Sequence, residues 1–352
     1  METVLDIFRN DAFSYTSLQR VVDNAPFVPQ ALGDMGIFDP KPIDTVEVLI
    51  YEKDGGFAII PITERGAPDI QQLRRQGRLY GLVTVRLSKK DTLYAGELQG
   101  FANMALPESL QLRNAAQEVA DRTSQLRTDM EATKEYHRLA ALQGKLLDAD
   151  GSVVFDFFDV FGVAQAPVIN TDFTSPDLGE DEAMMYFQEN IFLPIAKVLE
   201  KRWMPNSSVG ALVGDDYWGK LMRNKAFREI YKLEQQGRVL ARAANPLAAP
   251  NAWTTVDFGG VRWMNYRGSS GGEISIPSDE AKFFPIGAKD VFNVYWGPGE
   301  TLADVNKKGR PEYLYVEPDK RQQLADHVDI VLRSYPLYAC IFPKALLRSK
   351  LD

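Results

Sequence analysis

The longest regular pattern in the chain is an apolar stripe with helical spacing. Its positions recur every three or four residues, as on one face of an α-helix of roughly 35 residues, about 50 Å long. Most of these side chains are small or polar, which would make a weak coiled-coil seam. We therefore favour a helix lying across a sheet, with a coiled-coil dimer as the alternative. The stripe consists of Leu112, Ala116, Val119, Thr123, Leu126, Met130, Thr133, His137 and Ala140.

Residues at both ends of this stripe favour a helix boundary. Pro107 and Glu108 suit a first turn, and Gly144 suits a helix end. The pairs Glu118–Arg122 and Arg127–Glu131 lie one turn apart and predict an exposed outer face. After the helix, Asp150-Gly151 predicts a turn between strands 145–147 and 153–160. The same DADG segment does not fit a calcium loop, because Gly151 stands at its fourth position and the remaining ligands are missing.

Alternating apolar residues predict four strands between positions 41 and 100. Two hairpin turns are predicted, at 53–56 and 88–91, and the strands are TVEVLIY (45–51), GFAIIPI (56–62), RLYGLVTVRL (78–87) and TLYAGEL (92–98). The segment between the two pairs is basic, with Arg65, Arg74, Arg75 and Arg78. A two-stranded ribbon is barely stable alone, so we expect these arginines to contact an acidic neighbouring subunit. This basic segment would form the tip of the ribbon, which we call the arginine tip. The alternatives are that the arginine tip is solvated or that it binds phosphate.

The remaining segments predict further elements in a mixed order. Residues 1–40 are apolar, and we expect them to lie on a neighbouring subunit or on their own one. Ser14, Thr16 or Ser17 could cap one short helix through Asn24, and the Pro and Gly residues between Pro26 and Pro40 then predict no regular structure. A helix over 182–203 should kink at Pro194, with core positions Met185, Ile191, Ile195, Val198 and Leu199. There follow a strand at 208–214, a helix over 215–237, a strand pair turning at Gly259-Gly260, and C-terminal strands beside the long helix.

Composition limits the function classes. A chain of 352 residues favours two packed units, and its net charge of −8 argues against a general nucleic-acid binder. We expect no membrane span, because no stretch approaches 18 apolar residues, and no signal peptide. Cys340 is the single cysteine, which excludes an internal disulfide framework.

The sequence offers no assembled active site. His137 and His327 are far apart in the chain, and Cys340 lies in the apolar run YACIF, where a small buried hydrophobe is favoured. Gly268–Gly272 formally matches G-x-S-x-G, but the EISIP that follows is no helix. We therefore predict no catalytic, cofactor-binding or metal site, and a hydrolase using Ser270 or Cys340 is the remote alternative.

Several segments resemble the major capsid protein E family of tailed bacteriophages. The first is EYHRLAALQGKLLDADGSVVFDFFDVFGV (135–163), where a long helix runs into a short hairpin. ERGAP, DTLYAGELQG, FGGVRW-x-NYRG and IP-x-DEA-x-x-FP-x-G are similar to family motifs in the same order. One detail departs: Thr84-Val85 stand where the family often has Pro-His.

The resemblance implies an α+β tailed-phage major capsid fold. Its expected parts are an N-terminal arm (1–40), an extended β-hairpin loop (41–106), a peripheral domain with the long spine helix (107–179), an axial domain (180–310), and C-terminal strands (311–352) that return to the peripheral domain.

The resemblance also implies a function and partners. Subunits would form hexamers and pentamers of an icosahedral shell, a procapsid and then a mature head, around packaged double-stranded DNA. Assembly in the host cytoplasm is expected, with a scaffolding protein, a portal and a decoration protein as partners, and without a cofactor, enzymatic activity or sequence-specific DNA binding. A cargo-holding nanocompartment shell of the same fold is the alternative.

Overall fold

The computed structural model describes residues 31–53, 77–94, 96–97, 108–173, 182–231, 233, 255–266, 276–318 and 327–352. Predicted features outside the described residues include the strand 56–62, the arginines Arg65, Arg74 and Arg75, the Gly268–Gly272 segment and most of the N-terminal arm. Within the described part of the chain the helices are α1 (Ala31–Asp34), α2 (Glu108–Leu142), α3 (Phe157–Phe161), α4 (Ala183–Phe187), α5 (Leu193–Leu199), α6 (Asp215–Arg223) and α7 (225–231).

The described strands form three sheets and two hairpins. They are β1 (Asp39–Pro42), β2 (Glu47–Lys53), β3 (Gly77–Val83), β4 (Leu87–Tyr94), β5 (Lys145–Leu147), β6 (Val153–Asp156), β7 (Ile169–Thr171), β8 (Ser208–Val213), β9 (Thr255–Phe258), β10 (Val261–Asn265), β11 (Glu280–Ile286), β12 (Phe292–Trp296), β13 (Tyr313–Pro318), β14 (His327–Ser334), β15 (Pro336–Cys340) and β16 (Leu347–Leu351). The sheet orders are β7-β16-β11-β8-β10-β9, β13-β14-β4 and β1-β12-β15, and the hairpins are β2-β3 and β5-β6.

The long helix α2 confirms the predicted stripe and its packing. Its described stripe residues are buried except Thr133, which is half-buried. Val119, Leu126 and Met130 share a core cluster with residues of β4, β13 and β14. The stripe is thus covered by the subunit's own sheet, as a helix lying on a sheet requires, and the C-terminal strands return beside the helix as predicted.

The end of α2 at Gly144 was predicted correctly, whereas the predicted exposure of Glu131 is wrong. Gly144 adopts a positive φ of 79°, and a Cβ there would collide with the Phe158 ring. Glu131, however, is only 8% exposed, so the outer face predicted from the Arg127–Glu131 pair is wrong at this position. The helix enters the main core in its last three turns, where Leu139, Ala141 and Leu142 are buried on its other faces.

Two predicted strand boundaries are wrong for identifiable reasons. The strand predicted over 153–160 ends at Asp156, because the Asp156 carboxylate accepts a hydrogen bond from the Phe158 N–H at 3.0 Å and begins α3. The turn predicted at 88–91 lies inside β4, which pairs along its length with β14. Charged residues in this segment suit the edge position of β4 in its sheet, where they discourage pairing with other chains.

The helix around Pro194 is interrupted, as predicted. A π-helical segment, Gln188–Phe192, separates α4 from α5 directly before the proline. Ile191, Ile195 and Leu199 are buried, but the predicted core positions Met185 and Val198 are 61% and 42% exposed. The buried positions instead recur every four residues, at Ala183, Phe187, Ile191, Ile195 and Leu199. In an α-helix of 3.6 residues per turn such positions would rotate around the helix, and the wider π turn offsets this rotation.

Two further predictions are wrong, one of a single helix over 215–237 and one of no regular structure between Pro26 and Pro40. The helix predicted over 215–237 breaks at Asn224, whose side chain accepts a hydrogen bond from the Phe227 N–H at 3.2 Å and begins a new helix. Residues 31–40, predicted to lack regular structure, contain α1 and the first half of β1. Strand β1 pairs in parallel with β12, so this part of the N-terminal arm lies on its own subunit.

Candidate intersubunit surface

The β2–β3 ribbon is attached to its own subunit by one face. Val48 and Leu82 are directly opposite each other and buried, and Ile50 is buried opposite Tyr80. The Tyr80 ring contacts the Phe161 ring edge-on, with centroids 4.8 Å apart. Because side chains alternate along a strand, the other face of the ribbon points away from this core.

The other face of the ribbon carries exposed apolar side chains, Leu49, Leu79 and Val83, which we call the ribbon outer patch. They are 63%, 62% and 45% exposed. Leu49 lies opposite Gly81, which leaves space beside it. Clustered exposed apolar side chains on a sheet face are typical of a surface that another chain covers.

Of the four predicted contact arginines, the structure describes Arg78 alone. Arg78 is exposed in β3, opposite Glu52 in the register. Arg65, Arg74 and Arg75 lie outside the described residues, so the proximity of the four arginines stays a prediction.

Sequence reasoning missed a buried network of charged side chains on α2. The Lys134 ammonium lies 2.8 Å from Glu131 and 2.7 Å from Glu312, and Lys134 is 1% exposed. Arg127 lies 3.4 Å from the other oxygen of Glu312. Burial raises the pKa of Glu312, and the nearby Lys134 ammonium opposes this shift. Buried charges require such pairing, because an unpaired charge in the core is strongly destabilising.

The same network joins three separate segments at Glu135. Its carboxylate accepts hydrogen bonds from the Leu32 N–H at 2.8 Å and from the Tyr266 hydroxyl at 3.4 Å, and it pairs with Arg138 at 3.2 Å. Burial raises the pKa of Glu135, against the hydrogen bond from Leu32 and the charge of Arg138. The sequence pattern of this network is Glu, Lys and Arg at helical spacing on α2. The same pattern is typical of a solvated helix face, so it did not predict burial.

The candidate nucleophile Cys340 is fully buried, as predicted for a small hydrophobe. Burial raises the pKa of its thiol to about 12, so the group is not a thiolate at neutral pH. Burial also lowers the pKa of His137 to about 4. Among the described residues, no three His, Cys, Asp or Glu side chains are grouped to hold a metal ion. None of the described helices is long and apolar enough to cross a membrane.

Comparisons with known proteins give one consistent result. The family model described as phage major capsid protein E matches residues 14–351. The major capsid protein of Salmonella phage Felix O1 (isolate Felix O1-VT1) is 20% identical over 365 residues, covering 97% of this chain and 96% of that protein.

A solved structure agrees at the level of the fold. A prophage capsid protein of Escherichia coli CFT073 superposes with a TM-score of 0.51 at 11% identity, covering 96% of this chain and 99% of that chain. The capsid structure of Staphylococcus phage Andhra has a TM-score of 0.45 at 10% identity, and the match covers 93% of this chain and 86% of that chain.

Proposed function

Because the chain belongs to the phage major capsid protein E family, we propose that its copies assemble into a closed icosahedral shell that encloses packaged double-stranded DNA. The chain is a major capsid protein with an α+β phage capsid fold. The finer proposal is that hexamers and pentamers form first a procapsid and then the mature head.

The ribbon outer patch supports contact between copies. Three large apolar side chains on one face of a two-stranded ribbon remain largely exposed in the isolated subunit. Covering them on a neighbour would stabilise the ribbon by roughly 25 cal/mol per Å² of apolar surface buried. We propose that the ribbon is the inner part of an extended loop (41–106) and that Arg65, Arg74, Arg75 and Arg78 contact acidic groups of the adjacent subunit.

The other parts of the proposal follow the family. The segments 1–40, 107–179, 180–310 and 311–352 would be the N-terminal arm, peripheral domain, axial domain and returning strands. Assembly would occur in the host cytoplasm with a scaffolding protein and a portal, and a decoration protein is a further candidate partner. The net charge of −8 suits a wall that holds DNA without condensing it. The role would be structural rather than enzymatic.

Electron microscopy of the overexpressed full-length chain, with and without its scaffolding protein, tests this function. We expect closed shells from the unaltered chain. Leu49→Asp should yield folded subunits that form few shells, because a charge then lies in the patch. Leu82→Ala, on the inner face, should instead lower the stability of the subunit and leave the patch intact. Normal shells from Leu49→Asp would contradict the role of the patch. Absence of shells from the unaltered chain with its scaffold would contradict the proposal as a whole.

A further inference from the structure

A small cavity lies where the end of α2 meets β5, β11 and β16. Its volume is about 130 Å³, and its polar lining includes Gln143, Lys145, Gln165, Lys282 and Arg348. A single water needs about 10–15 Å³ of such space, whereas sites for drug-sized ligands have about 300–1,000 Å³. The cavity is therefore suited to a small ion and too small for a nucleotide.

The lining of this cavity is basic in an acidic protein. Three of its described lining residues are cations: Lys145, Lys282 and Arg348. The described lining contains no Asp or Glu. The whole chain carries a net charge of −8. A random sample of this surface would be acidic, so the charge of the cavity is opposite to that of its surroundings.

Two of the three cations face each other across neighbouring strands. Lys282 in β11 is the direct antiparallel partner of Arg348 in β16. Like charges at directly opposite positions destabilise a sheet. Glu280 offsets the charge of Lys282 at 2.5 Å, and Asp156 offsets that of Lys145 at 3.1 Å.

Arg348 has no comparable partner within the described part of the chain. Its Nε–H is buried and donates to no protein acceptor. Buried donors are almost always satisfied, and an exception indicates a bound water or ion. The planar guanidinium of arginine presents donors in a fork that matches the oxygens of a phosphate group.

We propose that this cavity binds a small multivalent oxyanion of the phosphate class, held by Arg348, Lys282 and Lys145. The anion would neutralise the Lys282–Arg348 repulsion and connect the end of α2 to two strands of the six-stranded sheet. A backbone phosphate of DNA would bring its sugars with it and exceed the cavity, so the free ion is the favoured source. The site goes beyond shell formation and does not depend on it.

Thermal unfolding of the full-length chain with added inorganic phosphate tests the proposal. The buffer is otherwise free of phosphate, sodium chloride keeps the ionic strength constant, and size-exclusion chromatography fixes the assembly state. Three proteins are compared: the unaltered chain, Arg348→Gln and the control Lys350→Gln. Lys350 is in the same strand but pairs with Asp279 at 3.1 Å and does not line the cavity.

We expect a saturable rise of Tm with phosphate in the unaltered chain and in Lys350→Gln. Arg348→Gln should bind phosphate at least about tenfold more weakly, because a charged donor is lost. Without phosphate, Arg348→Gln should be at least as stable as the unaltered chain, since the opposed charges are removed. If this variant does not fold, Lys282→Gln takes its place with the same expected loss of binding.

Two results would overturn the proposal. The first is no phosphate effect on the unaltered chain, whether or not a short DNA duplex at equal phosphate concentration raises its Tm. The second is an equal effect on all three proteins, which indicates a general salt effect.

Discussion

Glu135 and Leu32, 103 residues apart in the chain, are joined by a hydrogen bond of 2.8 Å from the Leu32 N–H to the Glu135 carboxylate. Both residues are buried. The bond attaches the described end of the N-terminal arm to the long helix, at the point where Arg138 and Tyr266 also contact the carboxylate.

Glu135→Ala should detach this segment. The change leaves the Leu32 N–H and the Arg138 guanidinium without this acceptor, and the free energy of unfolding should fall by about 3 kcal/mol. Urea denaturation measures the loss, and hydrogen exchange at Leu32 reports the detachment. Glu135→Gln keeps an acceptor oxygen and should retain much of the protection at Leu32. Equal loss of protection in both variants would contradict a role for this hydrogen bond.

The buried imidazole of His137 should make the protein sensitive to mild acid. Its pKa falls from 6.5 to about 4 on folding because of burial. The unfolded chain therefore binds a proton first, and stability that is complete above pH 6.5 is lost as the pH falls towards 4. Between pH 7 and pH 5 the loss should be about 2 kcal/mol.

The control for this prediction is the second histidine of the chain. His137→Gln should remove most of the pH dependence measured by urea denaturation over this interval, whereas His327→Gln should retain it. An unchanged slope in His137→Gln would show that other groups cause the acid sensitivity.

Helix α2 should act as one rigid element. Leu126 is 4% exposed between the helix and its sheet, and Leu126→Pro should cost ~3 kcal/mol or more in a helix interior. We expect insoluble or misassembled protein in solubility assays and electron micrographs. Leu126→Met preserves the volume and should assemble normally. Normal particles from the proline variant would disprove the prediction.

The arginine tip should act between subunits rather than within one. Reversing Arg74, Arg75 and Arg78 to Glu should leave a folded, soluble chain that forms few shells in electron micrographs. The matched control reverses three exposed cations elsewhere, Lys307, Lys308 and Arg310, and so makes the same change in net charge. A large fall in the Tm of the tip variant as a monomer would instead place these arginines in the subunit's own core.

Patterns within one element were sufficient for much of the fold. The stripe of α2 predicted both a helix and a covered face, and Pro194 predicted the interruption between α4 and α5. Composition misled at 88–91, because Ser, Lys and Asp are common in turns and also in the edge strands of sheets. At Asn224 a capping side chain inside an amphipathic pattern was read as part of one helix.

The charged network could not be predicted from local spacing. Glu131, Lys134 and Arg138 have the spacing of a solvated helix face. Buried Lys134 is paired in part by Glu312, a residue 178 positions beyond it. The proposed anion cavity likewise depends on residues that are far apart in the chain. Lys282 and Arg348 become neighbours through the pairing of β11 with β16.

Strand β16 also determines the order in which the subunit becomes complete. It lies between β7 and β11 in the six-stranded sheet, although its residues follow β7 by more than a hundred positions. During synthesis the sheet therefore stays open at two unpaired edges until residues 347–351 have left the ribosome. Open edges attract other chains, and pairing across such long sequence separations is slow. A nascent chain is consequently vulnerable to aggregation from the emergence of β7 until β16 follows, and it acquires a finished six-stranded sheet only as β16 inserts.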